Sequence, residues 1–183
     1  LDLDQAMAQT SYRVGDVEYT REGFVCFPDQ AIVMHLTSSK PGQLAFEVGL
    51  DTPHPGIHAQ SMGKDTLRLI GQIPPRPGAE NWSSGWDQPG LRFEARVRVS
   101  IEGGVVEGGQ GQLKVRDATA ATLVFCVATS FKNYRDITAD PAERCESVMK
   151  QAARKSFDAM LAAHVKDYQQ LFRRVTLDVG KTA

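Results

Sequence analysis

From Leu91 to Ile101 the chain alternates without a break. Leu91, Phe93, Ala95, Val97, Val99 and Ile101 are apolar, while Arg92, Glu94, Arg96, Arg98 and Ser100 are charged or hydroxylated. A strand sends successive side chains to opposite faces, so the run predicts a strand with one greasy face and one wet face. A helix would scatter the same apolar residues round its circumference. Burying each of the larger ones contributes on the order of 1.5–3 kcal/mol, which requires a second layer to cover them. This strand is therefore expected to be the spine of a sandwich.

The rest of the chain supplies more of the same pattern. Ala6 to Val14 reads as a strand, Gly15-Asp16 as a tight turn, and Val17 to Glu22 as the return arm of a hairpin that becomes apolar through Phe24 to Phe27. Ala31 to Leu36 and Gln43 to Leu50 follow as strands, joined by the Ser38-Ser39-Lys40-Pro41-Gly42 turn. Consecutive hairpins of this kind predict an antiparallel meander. Asp51 to Gly63 reads as a loop and Thr66 to Ile70 as a short strand. Gly71 to Gly90, rich in Pro and Gly, is a long irregular segment of the kind that usually carries function or disorder. After the spine, Glu102-Gly103-Gly104 predicts a turn that pairs it with a weak Val105-Val106 strand. Leu113 to Arg116 and Ala121 to Thr129 complete the β part.

The period then changes. Asp140-Pro141-Ala142-Glu143 combines a cap, a first-turn proline and a glutamate three residues after the cap, predicting a helix to about Arg154. Ser156 caps a second helix, in which Phe157, Met160, Leu161, His164, Tyr168 and Leu171 recur at helical spacing. Val175 to Val179 reverts to strand periodicity. The expected class is mainly β, an antiparallel sandwich over 1–135, with a two-helix segment over 136–173. A returning strand and the start of a linker follow over 174–183.

Composition narrows the function. The net charge of −1 and the dispersed Lys and Arg argue against nucleic acid as a partner. No apolar run has membrane-spanning length, which argues against a membrane partner. Cys26, Cys126 and Cys145 form no close sequence pair, so Cys26 and Cys126 are expected as buried free thiols, with neither a disulfide framework nor a metal site. The opening Leu1-Asp2-Leu3-Asp4 lacks Met and any leader pattern, and is expected to belong to a piece of a longer protein.

Candidate chemistry is sparse. Acid–base catalysis by carboxyl groups needs two of them facing one bond, and Asp51, Asp87 and Glu94 are the carboxylates to weigh. Glu94, between Arg92 and Arg96, reads better as part of a solvated charge ladder, so no catalytic residue is assigned. Asn81-Trp82-Ser83-Ser84-Gly85-Trp86-Asp87-Gln88 presents indole faces beside amide and carboxylate groups, which suits a pyranose. Trp82, Trp86 and Asp87 are the substrate-binding candidates for such a sugar. The plainer reading, which is favoured, is that Trp82 and Trp86 plug the loop onto the sandwich or meet a neighbouring domain. His54 and His58 with Asp51 lie among Pro53, Pro55 and Gly56, which forbid the helix a His-x-x-x-His metal site needs. No metal and no cofactor is expected. His164, Asp167 and Tyr168 share a helical face. With no nucleophile beside them they are read, together with Phe172, as interdomain packing residues rather than as a general base.

One resemblance organises these readings. His164-x-x-Asp167-Tyr168-x-x-Leu171-Phe172-x-Arg174-Val175-x-Leu177 resembles the stretch that closes the N-terminal domain of glycoside hydrolase family 95, the α-L-fucosidases and their relatives. Leu1 to Asp4, Ser11-Tyr12, Tyr19 to Glu22, Pro28-Asp29-Gln30, Gly90 to Ala95 and Ala128 to Phe131 resemble other parts of that domain in order. The resemblance implies a galactose-mutarotase-like super-sandwich bracing an (α/α)6 barrel on the same polypeptide. The inverting chemistry would reside in that barrel, leaving this chain inactive alone. It also favours a periplasmic or secreted location. The resemblance makes fucosylated glycans the candidate ligands, and a free-standing carbohydrate-binding module built on the Trp82/Trp86 loop is the alternative.

Overall fold

The computed structural model describes residues 1–73, 90–178 and 180. The hairpin forms where the turn residues place it. Strands β1 (Ala8–Val14) and β2 (Val17–Cys26) pair through a turn in which Gly15 takes φ +61°. Strand β3 (Ala31–Ser38) pairs with β2 in turn. Here the expected meander ends. β4 (Leu44–Gly49) does not pair with β3, whose free edge takes β10 (Ala120–Thr129) instead. The spine strand, β7 (Arg92–Glu102), lies between β10 and β6 (Thr66–Gln72). A short β5 (Gln60–Met62) edges the sheet, inside the stretch read as a loop. The resulting seven-stranded sheet has the order β1-β2-β3-β10-β7-β6-β5, and every pair in it is antiparallel.

A second sheet, β4-β9-β8, is completed by β8 (Val105–Gly109) and β9 (Gln112–Ala118). The spine therefore does not pair with Val105-Val106, as its sequence turn suggested. Gly103 and Gly104 take φ +70° and +65°, and a Cβ on Gly104 would lie 2.2 Å from the Arg116 carbonyl oxygen. The turn swings the chain out of the large sheet and across to the small one, a path only glycine allows so close to another backbone. β4 crosses for a packing reason, because Leu44 finds burial only by facing the large sheet. Leu36, Leu67, Val97 and Val99 from one sheet meet Leu44, Leu113 and Val115 from the other in a single core. The chain is thus a mainly β, antiparallel sandwich.

Two helices cover the opposite face of the large sheet. Helix α1 (Pro141–Ala152) starts where Asp140 accepts the backbone N–H of Ala142 at 2.9 Å. Helix α2 (Phe157–Phe172) starts where Ser156 accepts that of Ala159 at 3.2 Å. Cys145, Met149 and Ala152 form the buried stripe of α1, and Met160 and His164 that of α2. They pack on Phe24, Cys26, Val33, Val124 and Cys126. Replacing Asp140 with alanine should cost about 1 kcal/mol of stability, measured as a lowered urea midpoint, because one orphan N–H of α1 loses its acceptor.

The predicted last strand does not form among the described residues. Val175 to Asp178 follow α2 as irregular chain, with Val175 at 81% and Leu177 at 87% exposure. Their alternation is real, but residues 175–178 join neither sheet.

Candidate functional site

The charged residues of the spine are where the wet-face expectation fails. Glu94 is 2% exposed and Arg96 6%, although both alternate with apolar neighbours. They lie on the helix side of the sheet, and α1 closes over them. Arg96 Nε donates to Glu94 Oε1 at 2.5 Å, its Nη1 donates to Glu146 on α1, and its Nη2 reaches the Ala142 carbonyl at 3.4 Å. Lys150 adds a second cation to Glu146 at 3.3 Å. The hydrogen bond from Arg96, followed by that from Lys150, holds the Glu146 carboxyl below the usual range. Glu94 is therefore no solvated ladder residue but half of a buried ion pair that fastens helix to sheet.

A second cluster joins the two ends of the chain. His164 Nε2 donates to the Gln5 carbonyl at 2.8 Å and Tyr168 Oη to that of Leu3 at 2.9 Å. Gln169 Nε2 donates to the Asp4 side chain at 2.9 Å, and Arg173 grips both oxygens of the same carboxylate at 2.8 and 2.5 Å. The fork of a guanidinium on a carboxylate is the strong, directional form of this contact. That hydrogen bond from Arg173 lowers the Asp4 pKa. Along α2 the rings run in series, with Phe24 to His164 at 4.8 Å, His164 to Tyr168 at 6.1 Å and Tyr168 to Phe172 at 5.0 Å. His164 and Tyr168 thus hold the N-terminal segment. Asp167 is half-buried on the same helix, and Phe172 ends the ring series exposed. Asp4, Gln169 and Arg173 had no signal in the local pattern, because their partners lie at the opposite end of the sequence.

The three cysteines are buried free thiols. Burial pushes the Cys26 thiol up to about 11, and its Sγ donates to Asp29 at 3.2 Å. Cys126 and Cys145, distant in sequence, are neighbours across the α1–β10 contact. Cys126 Sγ donates to the Cys145 carbonyl at 3.9 Å and Cys145 Sγ to that of Glu94 at 3.3 Å, and the neighbouring thiol together with burial pushes the Cys126 thiol up. In the loop after β4, His54 leans on Phe93 at 5.6 Å, and Asp51 accepts the Thr52 N–H at 2.7 Å. Among the described residues no group of His, Cys, Asp or Glu is arranged to hold a metal ion. Trp82, Trp86 and Asp87 lie outside the described residues.

Residues 1–134 match the family model described as "Glycosyl hydrolase family 65, N-terminal domain". The chain belongs to that family. Its curated relatives carry fucosidase names. "Alpha-L-fucosidase 2" of Arabidopsis thaliana is 32% identical over 194 residues, covering 98% of this chain and 23% of that protein. "Probable alpha-fucosidase A" of Aspergillus niger is 26% identical, covering 97% of this chain and 22% of the relative. The namesake from Aspergillus oryzae is 24% identical, covering 100% and 25%. This glycosyl hydrolase N-terminal domain therefore spans about a quarter of the length of these relatives. Among solved structures, a kojibiose phosphorylase by name, from the human microbiome, superposes with a TM-score of 0.57 at 10% identity. The match covers 94% of this chain and 24% of that one, and it bears on the fold alone.

Proposed function

We propose that the chain is a non-catalytic domain of a larger glycoside hydrolase that releases α-L-fucosyl residues, and that it braces the (α/α)6 catalytic barrel of the same polypeptide. The observation that carries this is the 32% identity to "Alpha-L-fucosidase 2", which runs along 98% of this chain yet occupies 23% of the relative. The rest of such a protein has room for a reaction centre. The carboxylates described here are committed elsewhere: Glu94 to Arg96, Glu146 to Arg96 and Lys150, and Asp4 to Arg173.

The docking surface is the end of α2. Leu171, Phe172, Val175 and Leu177 are exposed there, beside the Leu1 and Leu3 side chains that the N-terminal clasp brings to the same end of the molecule. Isolated exposed apolar residues are ordinary, but a gathered set marks an interaction surface. His164 and Tyr168 act in this reading by fixing the surface, and Phe172 by touching the barrel.

In the polypeptide that joins this chain to its catalytic region, Phe172→Asp combined with Leu177→Asp should lower fucose release from a chromogenic fucoside at least about tenfold. A charge forced into an apolar contact has that scale of cost. The melt of the chain expressed alone should be unchanged, since both residues are exposed in it. Full activity in the double variant would refute the docking surface. Release of fucose by the chain alone would refute the non-catalytic role.

A further inference from the structure

The helix-side face of the large sheet changes character part-way along its strands. Toward one end it is apolar, with Phe24, Val33 and Val124 beneath the helices. One step further, the strand register sets His35, Thr122 and Ser100 side by side on β3, β10 and β7. The next row adds Glu102 opposite Ala120. The helix layer reaches His35 through Phe157 but leaves Ser100 and Glu102 exposed. Beside the α1–α2 turn lies an open groove of about 420 Å³ whose lining includes Arg98 and Phe157. That volume lies within the roughly 300–1,000 Å³ common for small-molecule sites.

The groove's polar groups are held in place. His35 Nδ1 lies 2.9 Å from Thr122 Oγ1, and the His35 ring stacks on Phe157 with centroids 4.3 Å apart. Ser100 Oγ leans on the Thr122 carbonyl at 3.4 Å. Burial lowers the His35 pKa against the opposing pull of Glu22, Glu102 and Asp158, so the neutral imidazole offers one donor and one acceptor. The cations on the rim are already engaged, Arg98 with Asp65 at 3.2 Å and Lys155 with Asp29.

The charge pattern selects the ligand. An anion would meet the Glu102 and Asp158 carboxylates with both nearby cations occupied. An apolar ligand would take water from the exposed Glu102 carboxylate and the second side of the Ser100 hydroxyl without replacing its hydrogen bonds. A polyhydroxylated neutral molecule satisfies the row, its hydroxyls donating to Glu102 and exchanging hydrogen bonds with Ser100 and Thr122. We propose that this groove is a binding site for a neutral pyranose unit of an oligosaccharide.

The test is a titration of the isotopically labelled chain with L-fucose and with a fucosylated trisaccharide, followed by amide NMR. Saturable shifts at Ser100, Thr122 and Phe157, with a Kd on the order of 1 mM, are expected. Ser100→Ala and Glu102→Gln, both at exposed positions that leave the fold intact, should each weaken binding about fivefold, the scale of one hydrogen bond. Absence of shifts with either sugar would overturn the site. So would binding that survives both substitutions but is lost in Trp82→Ala and Trp86→Ala. The result is independent of barrel docking, because a chain that binds sugar here could still fail to brace a barrel, and the reverse.

Discussion

Glu94→Ala should destabilise the chain by about 3–5 kcal/mol, the cost of leaving a buried charge without its partner. Arg96 would remain inside, at 6% exposure, with Glu146 and one long contact to the Ala142 carbonyl. Glu146 sits at the solvent edge, with a side chain 45% exposed, so it cannot replace the enclosed carboxylate. Urea unfolding followed by circular dichroism measures the loss. A domain of ordinary stability, about 5–15 kcal/mol, would lose a large fraction of it. The paired replacement Glu94→Leu with Arg96→Met should recover much of the deficit, because removing both charges abolishes the desolvation cost along with the attraction. If Glu94→Ala shifted the urea midpoint no more than a surface substitution does, the ion pair would not be what fastens α1 to the sheet.

Leu113→Ala should cost about 2–5 kcal/mol. Leu113 is fully buried at 0% exposure, on the middle strand of the small sheet, facing Leu67, Val97 and Val99. Truncation loses the transfer energy of the deleted carbons and leaves a cavity that two hydrogen-bonded sheets cannot close. Calorimetry should show a lower melting temperature. The same substitution at Leu171, 62% exposed, should leave the melt of the chain alone nearly unchanged. Equal losses at the two positions would mean that the small sheet is not packed as described.

What could be read in advance depended on the range of the interactions. The β1–β2 hairpin is specified by alternating side chains and a glycine that supplies positive φ, all within a few residues. The helix starts were legible for the same reason, since Asp140 and Ser156 act on N–H groups two and three residues away. The small sheet was not legible. Pairing β4 with β9 joins Leu44 to Ala118, and nothing near Leu44 names that partner. The alternation from Leu91 to Ile101 established a strand but misplaced Glu94, because period two separates the faces without saying which are covered. The candidate site shows the same division. His164 and Tyr168 were visible as a polar face of a helix, but their acceptors, the carbonyls of Gln5 and Leu3, lie at the far end of the chain.

By itself the sequence determined most of the strands, the first hairpin, the helix caps and both helices, and the order of residues that ties this chain to glycosidase N-terminal domains. Those features are written in contacts between near neighbours. Only the tertiary structure decided which sheet each strand joined, that a charged pair would be sealed beneath α1, and that His35, Thr122 and Ser100 would stand in one row. Each of those outcomes depends on side chains meeting across long stretches of chain, where burial and pairing overrule the local pattern.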